Sequence, residues 1–126
     1  MRNSYLGKRI RGGGYAIKGA WILIKTEHSI QVQVTIAILI TLAGFYFGIS
    51  KTQWMFQILS IGLVLSIEGL NTAIEGMADF VYPNFHSKIG YIKDVAAGAV
   101  LFSAFTAVII AVFIYVPYIF PKFQWY

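Results

Sequence analysis

The sequence predicts an all-α integral membrane protein, with three transmembrane helices preceded by an N-terminal amphipathic surface helix. Three observations predict it. The chain of 126 residues is 58% hydrophobic and only 12% charged, against about 25% charged residues in a typical soluble domain. A chain this short cannot bury that much apolar surface within itself, and its mean hydropathy is +0.70. Three long apolar stretches stand out, at 32–49, 54–74 and 95–120, and six of the ten basic residues precede them: Arg2, Lys8, Arg9, Arg11, Lys18 and Lys25. The length gives room for one domain, taken as residues 1–126.

The surface helix is placed at about residues 5–27. Tyr15, Ile17, Ala20, Trp21 and Ile24 recur at near-helical spacing, with Lys18 and Lys25 elsewhere on the wheel, as in a helix lying on a charged leaflet. The competing reading makes this segment an extension of the first span. That span is expected at about 30–49. A bilayer-crossing helix needs about 20 mostly apolar residues and satisfies its own backbone hydrogen bonds, which lipid cannot do. The second span, about 53–80, is apolar except where Glu68 and Asn71 interrupt it, so its polar groups must face protein. The third, about 94–119, has no charge between Val95 and Phe120. Residues 50–53 connect the first two spans. Residues 80–94 connect the last two, with Pro83, Asn84 and Gly90 expected as helix breakers. Pro117 and Pro121 are expected to end the last helix. Phe45, Tyr46, Phe47, Trp54, Trp125 and Tyr126 suit the membrane interface. Gly44-x-x-x-Gly48 and the run Ala96 to Ala99 are of the kind that lets helices approach closely.

Orientation follows from the basic residues. A cytoplasmic N-terminus puts Lys88 and Lys93 inside with the first six, and only Lys51 and Lys122 outside. The expected location is a bacterial inner membrane, multi-pass. The N-terminus does not read as a signal peptide, because Gly12–Gly14 interrupt its basic region and the apolar run at Trp21 is too short. The net charge of +5, concentrated beside an apolar body, points to a membrane surface and not to nucleic acid. The absence of cysteine excludes disulfides and thiolate metal sites.

The acids carry the chemistry. There are five: Glu27, Glu68, Glu75, Asp79 and Asp94. All fall at or near the expected cytoplasmic ends of helices. Glu68, Asn71, Thr72, Glu75 and Asp79 are spaced by offsets of 3, 4, 7 and 11, which is one helix face; Leu70, Ile74 and Met77 stay apolar on the other. An acid near a bilayer centre costs about 2.5–3.5 kcal/mol even on lenient scales, so such a face implies a use. The plain alternative is interhelical hydrogen bonding or an ion pair with Lys93. Two acids a turn or two apart, near a basic residue and an interface, suit Mg²⁺ and phosphate, since Mg²⁺ takes one or two carboxylates and completes its shell with water and phosphate oxygens. Lys93 beside Asp94 adds a cation for phosphate. No P-loop is present, and Gly12–Gly14 is not one. His28 and His86 have no second His or Cys at ligand spacing and read as an interface and a loop residue.

The run Glu68-x-x-Asn71-Thr72-Ala73-Ile74-Glu75-x-x-x-Asp79 closely resembles the signature of prokaryotic diacylglycerol kinases and the related undecaprenol kinases. Lys93-Asp94-Val-Ala-Ala-Gly98-Ala-Val resembles a second block, and Lys25-Thr26-Glu27-His28 a third. The resemblance implies transfer of the γ-phosphoryl of MgATP to a lipid hydroxyl at the cytoplasmic face, by a homotrimer with composite sites between subunits. It implies that Glu68 is the base at the lipid substrate, with Asn71 orienting the acceptor or the base. Glu27 and Glu75 would hold Mg²⁺ on ATP. Tyr15, Lys93 and Asp94 would contact the nucleotide, as would Asn84, Phe85 and His86 with less sequence support. Thr72 and Asp79 would support the site. Glu68 lies deeper than Glu75, which suits a base; Glu75 lies nearer water, which suits metal.

The implied product is phosphatidate from diacylglycerol. The alternative is undecaprenyl phosphate from undecaprenol, and Lys25-Thr26-Glu27 and Asp94-Val-Ala-Ala-Gly-Ala-Val resemble that branch somewhat more. Gln31 and Gln33 depart from an Arg and a Glu found in some members, Lys8 from a common Arg, and Tyr91 from a basic residue; these bear on lipid choice and ATP contacts. Intramembrane carboxylates also serve proton-coupled transporters, but a carrier wants its site near the midplane and does not need Lys93-Asp94. A non-catalytic assembly role leaves Glu68, Glu75 and Asp79 without a purpose.

Overall fold

The computed structural model describes residues 4–124 and contains only helices: α1 (Tyr5–Thr26), α2 (His28–Phe47), α3 (Lys51–Val81), α4 (Ser87–Ile119) and a closing 3₁₀ turn (Pro121–Phe123). Arg2, counted with the basic N-terminal segment, and Trp125 and Tyr126, expected at the interface, lie outside the described residues. Helices α2, α3 and α4 are long and apolar enough to cross a membrane, and the chain is a multi-pass membrane protein. Its packing is the reverse of a soluble domain. Large side chains such as Leu39, Leu42, Leu59 and Phe102 face outward, while the buried groups include Gln57, Ser60, Glu68 and Ser103. With lipid outside, apolar surface has no reason to turn inward and polar groups do.

Only Glu27 separates α1 from α2; it is in extended conformation at φ −94° and ψ 113°. The first span therefore begins at His28, and α1 is a separate helix, not an extension of it. At the far end of α2, Gly48 adopts a left-handed conformation at φ 61°, which only glycine takes without cost. Its N–H and that of Ile49 turn back to Phe45 and Gly44 carbonyls. Ser50 then starts α3 with a reciprocal capping box: its Oγ accepts from Gln53 N at 3.2 Å, and its N–H donates to Gln53 Oε1 at 2.9 Å. Gly44 and Gly48 thus have different jobs. A β-carbon on Gly44 would stand 2.6 Å from the Trp54 ring, so Gly44 is the close-approach position and Gly48 the turn.

Helices α3 and α4 form the most extensive interface. At the turn end, Ile49, Ile114 and Tyr115 form a buried cluster with Phe47, Trp54 and Tyr118 against it. Phe47 and Trp54 are therefore partly core; Phe45 and Tyr46 remain exposed. Hydrogen bonds tie the cluster together. The Tyr115 hydroxyl donates to Gln57 Oε1 at 2.5 Å and lies 3.0 Å from the Ile40 carbonyl, which Gln57 Nε2 also approaches at 3.3 Å. The Tyr118 hydroxyl donates to Gln53 Oε1 at 2.7 Å. Towards the middle, small residues (Ala37, Ala43, Ala104, Ala107) leave a furrow of about 670 Å³ between α2, α3 and α4, with Gln57 and Ser60 on its α3 wall.

One boundary differs from the sequence pattern, and Pro117 does not end its helix. Helix α4 begins at Ser87, not near residue 94, and Gly90 lies inside it. A glycine inside a helix costs only about 1 kcal/mol, too little to stop one that starts on a side-chain cap: His86 Nδ1 accepts from Lys88 N at 3.1 Å. Pro117 sits buried within α4, which continues to Ile119; spanning helices tolerate proline because neighbouring groups resatisfy the freed carbonyl. Helix α3 has 31 residues and α4 has 33, so each runs about 45–50 Å against about 30 Å of hydrocarbon. The surplus lets the end of α3 and the start of α4 reach past the hydrocarbon.

Candidate functional site

The buried stripe of α3 runs Gln57, Ser60, Val64, Glu68 and Ala78. These positions share the inward face of one helix. Glu68 is 6% exposed. Next along the face come Asn71 and Thr72, half-buried, and then Glu75 and Asp79, exposed. One helix surface thus grades from a shielded carboxylate to open ones within about 17 Å of rise.

Asn71 is the hinge of this gradient. Its Nδ2 donates to Glu75 Oε1 at 3.3 Å, while its Oδ1 is buried without any hydrogen-bond partner. A buried acceptor left unsatisfied typically costs about 1–3 kcal/mol, so the position is poised for a donor from outside the chain. Asp79 accepts from Lys93 Nζ at 2.5 Å, joining the end of α3 to the start of α4. Both side chains are more than a third exposed, so the bond adds little stability; its effect is to fix where the Lys93 cation stands. The ion pair weighed from sequence is present, on Asp79.

Helix α1 reaches this region through Leu23. A β-carbon on Gly69 would stand 3.1 Å from Leu23 Cδ1, so the last turns of α1 lie against α3 beside Glu68. Glu27 follows one turn later, half-buried at the break. It occupies the N-cap of α2 but makes no side-chain capping bond. Ser, Thr, Asp and Asn are the residues that cap well; a Glu there, uncommitted, has its carboxylate free for another partner.

The remaining candidates are less closely joined. Tyr15 is 71% exposed on α1 and Phe85 is 91% exposed in the α3–α4 connection. Asp94 and Asn84 are also exposed. His86 is engaged as the α4 cap and stacks edge-on with Tyr82 at 5.4 Å. Among the described residues, no three acids or histidines form a metal cage. Sequence reasoning singled out Gln31 only as a departure from relatives and missed its bonds, in which Nε2 donates to the Ile24 and Lys25 carbonyls at 3.1 Å each; it missed the Gln53–Gln57–Tyr115–Tyr118 set altogether. Gln57 had a signal, since it lies eleven residues before Glu68 on the same face.

Comparison with known proteins points to one family. The model of a family described as "Prokaryotic diacylglycerol kinase" matches residues 14–115. An undecaprenol kinase of Bacillus subtilis is 36% identical over 103 residues, covering 82% of this chain and 84% of that protein. A diacylglycerol kinase of Escherichia coli K12 is 32% identical over 114 residues, covering 86% and 91%. One from Haemophilus influenzae is 27% identical over 86 residues, covering 68% and 73%.

Proposed function

The chain belongs to the prokaryotic diacylglycerol kinase family and is a membrane-embedded lipid kinase; from that premise we propose how its residues divide the work. The observation that carries the reading is the α3 face, with Glu68 shielded, the Asn71 Oδ1 buried and unsatisfied, and Glu75 open. A lipid hydroxyl supplies the donor that Asn71 lacks. For transfer its one hydrogen turns from Asn71 to Glu68, which takes the proton as the hydroxyl oxygen bonds the γ-phosphorus of ATP and the bond to ADP breaks. Phosphoryl transfer asks little covalent help from protein; it asks for alignment and compensation of charge.

Glu75 and Glu27 suit Mg²⁺ that arrives on ATP. One Glu75 oxygen is oriented by Asn71 and the Glu27 carboxylate is uncommitted, and one or two carboxylates with phosphates and water are what Mg²⁺ takes. When bound, the ion offsets charge on the β- and γ-phosphates. Lys93, steadied by Asp79, faces the same anion with Asp94 beside it, and Tyr15 and residues 84–86 complete the nucleotide contacts. The reading places this end of the bundle in the cytoplasm, α1 on the inner leaflet, and the site between subunits of a homotrimer. The furrow reaches Val64 and Leu65, a turn below Glu68, and so offers an apolar path for the lipid chain.

The acceptor proposed is diacylglycerol, giving phosphatidate. Undecaprenol is the second reading, favoured by the similarity to the Bacillus subtilis enzyme. The test is labelled MgATP offered with each lipid in parallel to the reconstituted protein. Phosphatidate formed at the higher kcat/KM supports the first reading; undecaprenyl phosphate at the higher value replaces it with the second.

A further inference from the structure

The break between α1 and α2 is a single residue, and that residue is Glu27. Two helix ends so close leave the last carbonyls of α1 without intrahelical partners. Glu27 N takes the Leu23 carbonyl at 3.0 Å. The next two, Ile24 and Lys25, both accept from Gln31 Nε2 at 3.1 Å. Gln31 lies one turn into α2, with its own N–H on the Glu27 carbonyl at 3.0 Å. Its side chain therefore reaches back over the break, and each of its two amide hydrogens has a carbonyl of α1. Helix α1 buries none of its residues, and its contact with α3, Leu23 on Gly69, lies one turn before the break, so that contact and Gln31 together fix its angle to α2.

We propose that Gln31 is a positioning residue, a clamp across the α1–α2 break that sets the direction of the Glu27 carboxylate. The inference rests on the reading of Glu27 as a group that holds Mg²⁺ on the nucleotide. The clamp needs two hydrogens on one group, fixed within a turn of the break. Arginine has the reach and the donors to replace it; glutamate has the shape and no donor; methionine has the length and no donor.

The absence of cysteine allows a clean geometric readout. Spin labels at Lys18→Cys and Thr35→Cys, in labelled chains diluted with unlabelled ones, report the α1–α2 distance by pulsed EPR. The clamp predicts a narrow distribution in the parent, a broad one in Gln31→Glu, and a narrow one again in Gln31→Arg. It predicts that KM for MgATP rises about tenfold or more in Gln31→Glu, because small misplacements at a site have large effects, and returns to within about threefold in Gln31→Arg. Gln31→Met serves if Gln31→Glu does not fold. A narrow distribution in the donor-less variants overturns the clamp. A broad distribution with unchanged KM overturns its positioning role. Glu27→Gln is measured alongside: if it leaves KM for MgATP unchanged, the reading of Glu27 fails, whatever the labels report on Gln31.

Discussion

Leu23 of α1 and Gly69 of α3 meet so closely that only hydrogen fits on Gly69 without movement, with 3.1 Å between Leu23 Cδ1 and the place of a β-carbon. This contact sets α1 beside Glu68. Gly69→Ala removes an interior helix glycine, a gain of about 1 kcal/mol, and displaces Leu23, which offsets it. Thermal unfolding in detergent is expected to move little, while lipid phosphorylation falls severalfold. Gly69→Val, with more volume at the contact, is expected to lose about 1–3 kcal/mol and most of the activity.

Asn71 carries an acceptor that the chain itself leaves unsatisfied. Asn71→Leu removes that group together with the bond to Glu75, so stability is expected to stay within about 1 kcal/mol. Activity is expected to fall by about a hundredfold, with KM for the lipid rising. Initial rates over a lipid concentration series, beside a melting curve, check both halves.

Asp79→Asn releases Lys93 from its ion pair. Both groups are substantially exposed, so less than about 1 kcal/mol of stability is at stake. The expected effect is on KM for MgATP, by about tenfold, with kcat changed less. The reversed pair, Asp79→Lys with Lys93→Asp, keeps the attraction and is expected to stay folded but inactive, since the cation then stands on the wrong helix.

The turn end should behave oppositely. Tyr115→Phe removes the hydroxyl from Gln57 and Ile40. Hydrogen bonds between membrane helices contribute about 0.6–1.7 kcal/mol, and a loss of that order is expected in unfolding measurements in lipid. Activity per folded molecule should be unchanged, because Gln57 lies eleven residues from Glu68, about 16 Å of helix rise, and the cluster touches none of the site's carboxylates.

The spans and the acidic face were legible because both depend on periodicity. Apolar residues continue long enough to cross a bilayer, and Glu68, Asn71, Glu75 and Asp79 repeat on one helix face. The start of α4 was not legible, because Gly90 reads as a breaker while its small cost is outweighed by the cap at His86. Gln31 drew attention as a departure from relatives, but its bonds to Ile24 and Lys25 depend on the angle between two helices, which no local pattern encodes. The same holds for Tyr115 and Gln57, which are far apart in sequence and meet only once α4 packs on α3. Glu27 was chosen by resemblance. That it is the break between two helices, with its carboxylate uncommitted, is what the structure adds.

The most direct test is transfer of labelled γ-phosphate from MgATP to a lipid hydroxyl by the parent and by Glu68→Gln, reconstituted in the same bilayer and matched for folded protein. Glu68→Gln keeps the shape of the buried side chain and removes the base, and general-base catalysis is worth about 10²–10⁴ in rate. The account predicts a phosphorylated lipid from the parent and a rate at least about a hundredfold lower from the variant. A variant that phosphorylates lipid at the parent rate would contradict the role given to Glu68, and a parent that forms no phosphorylated lipid from either acceptor would contradict the account as a whole.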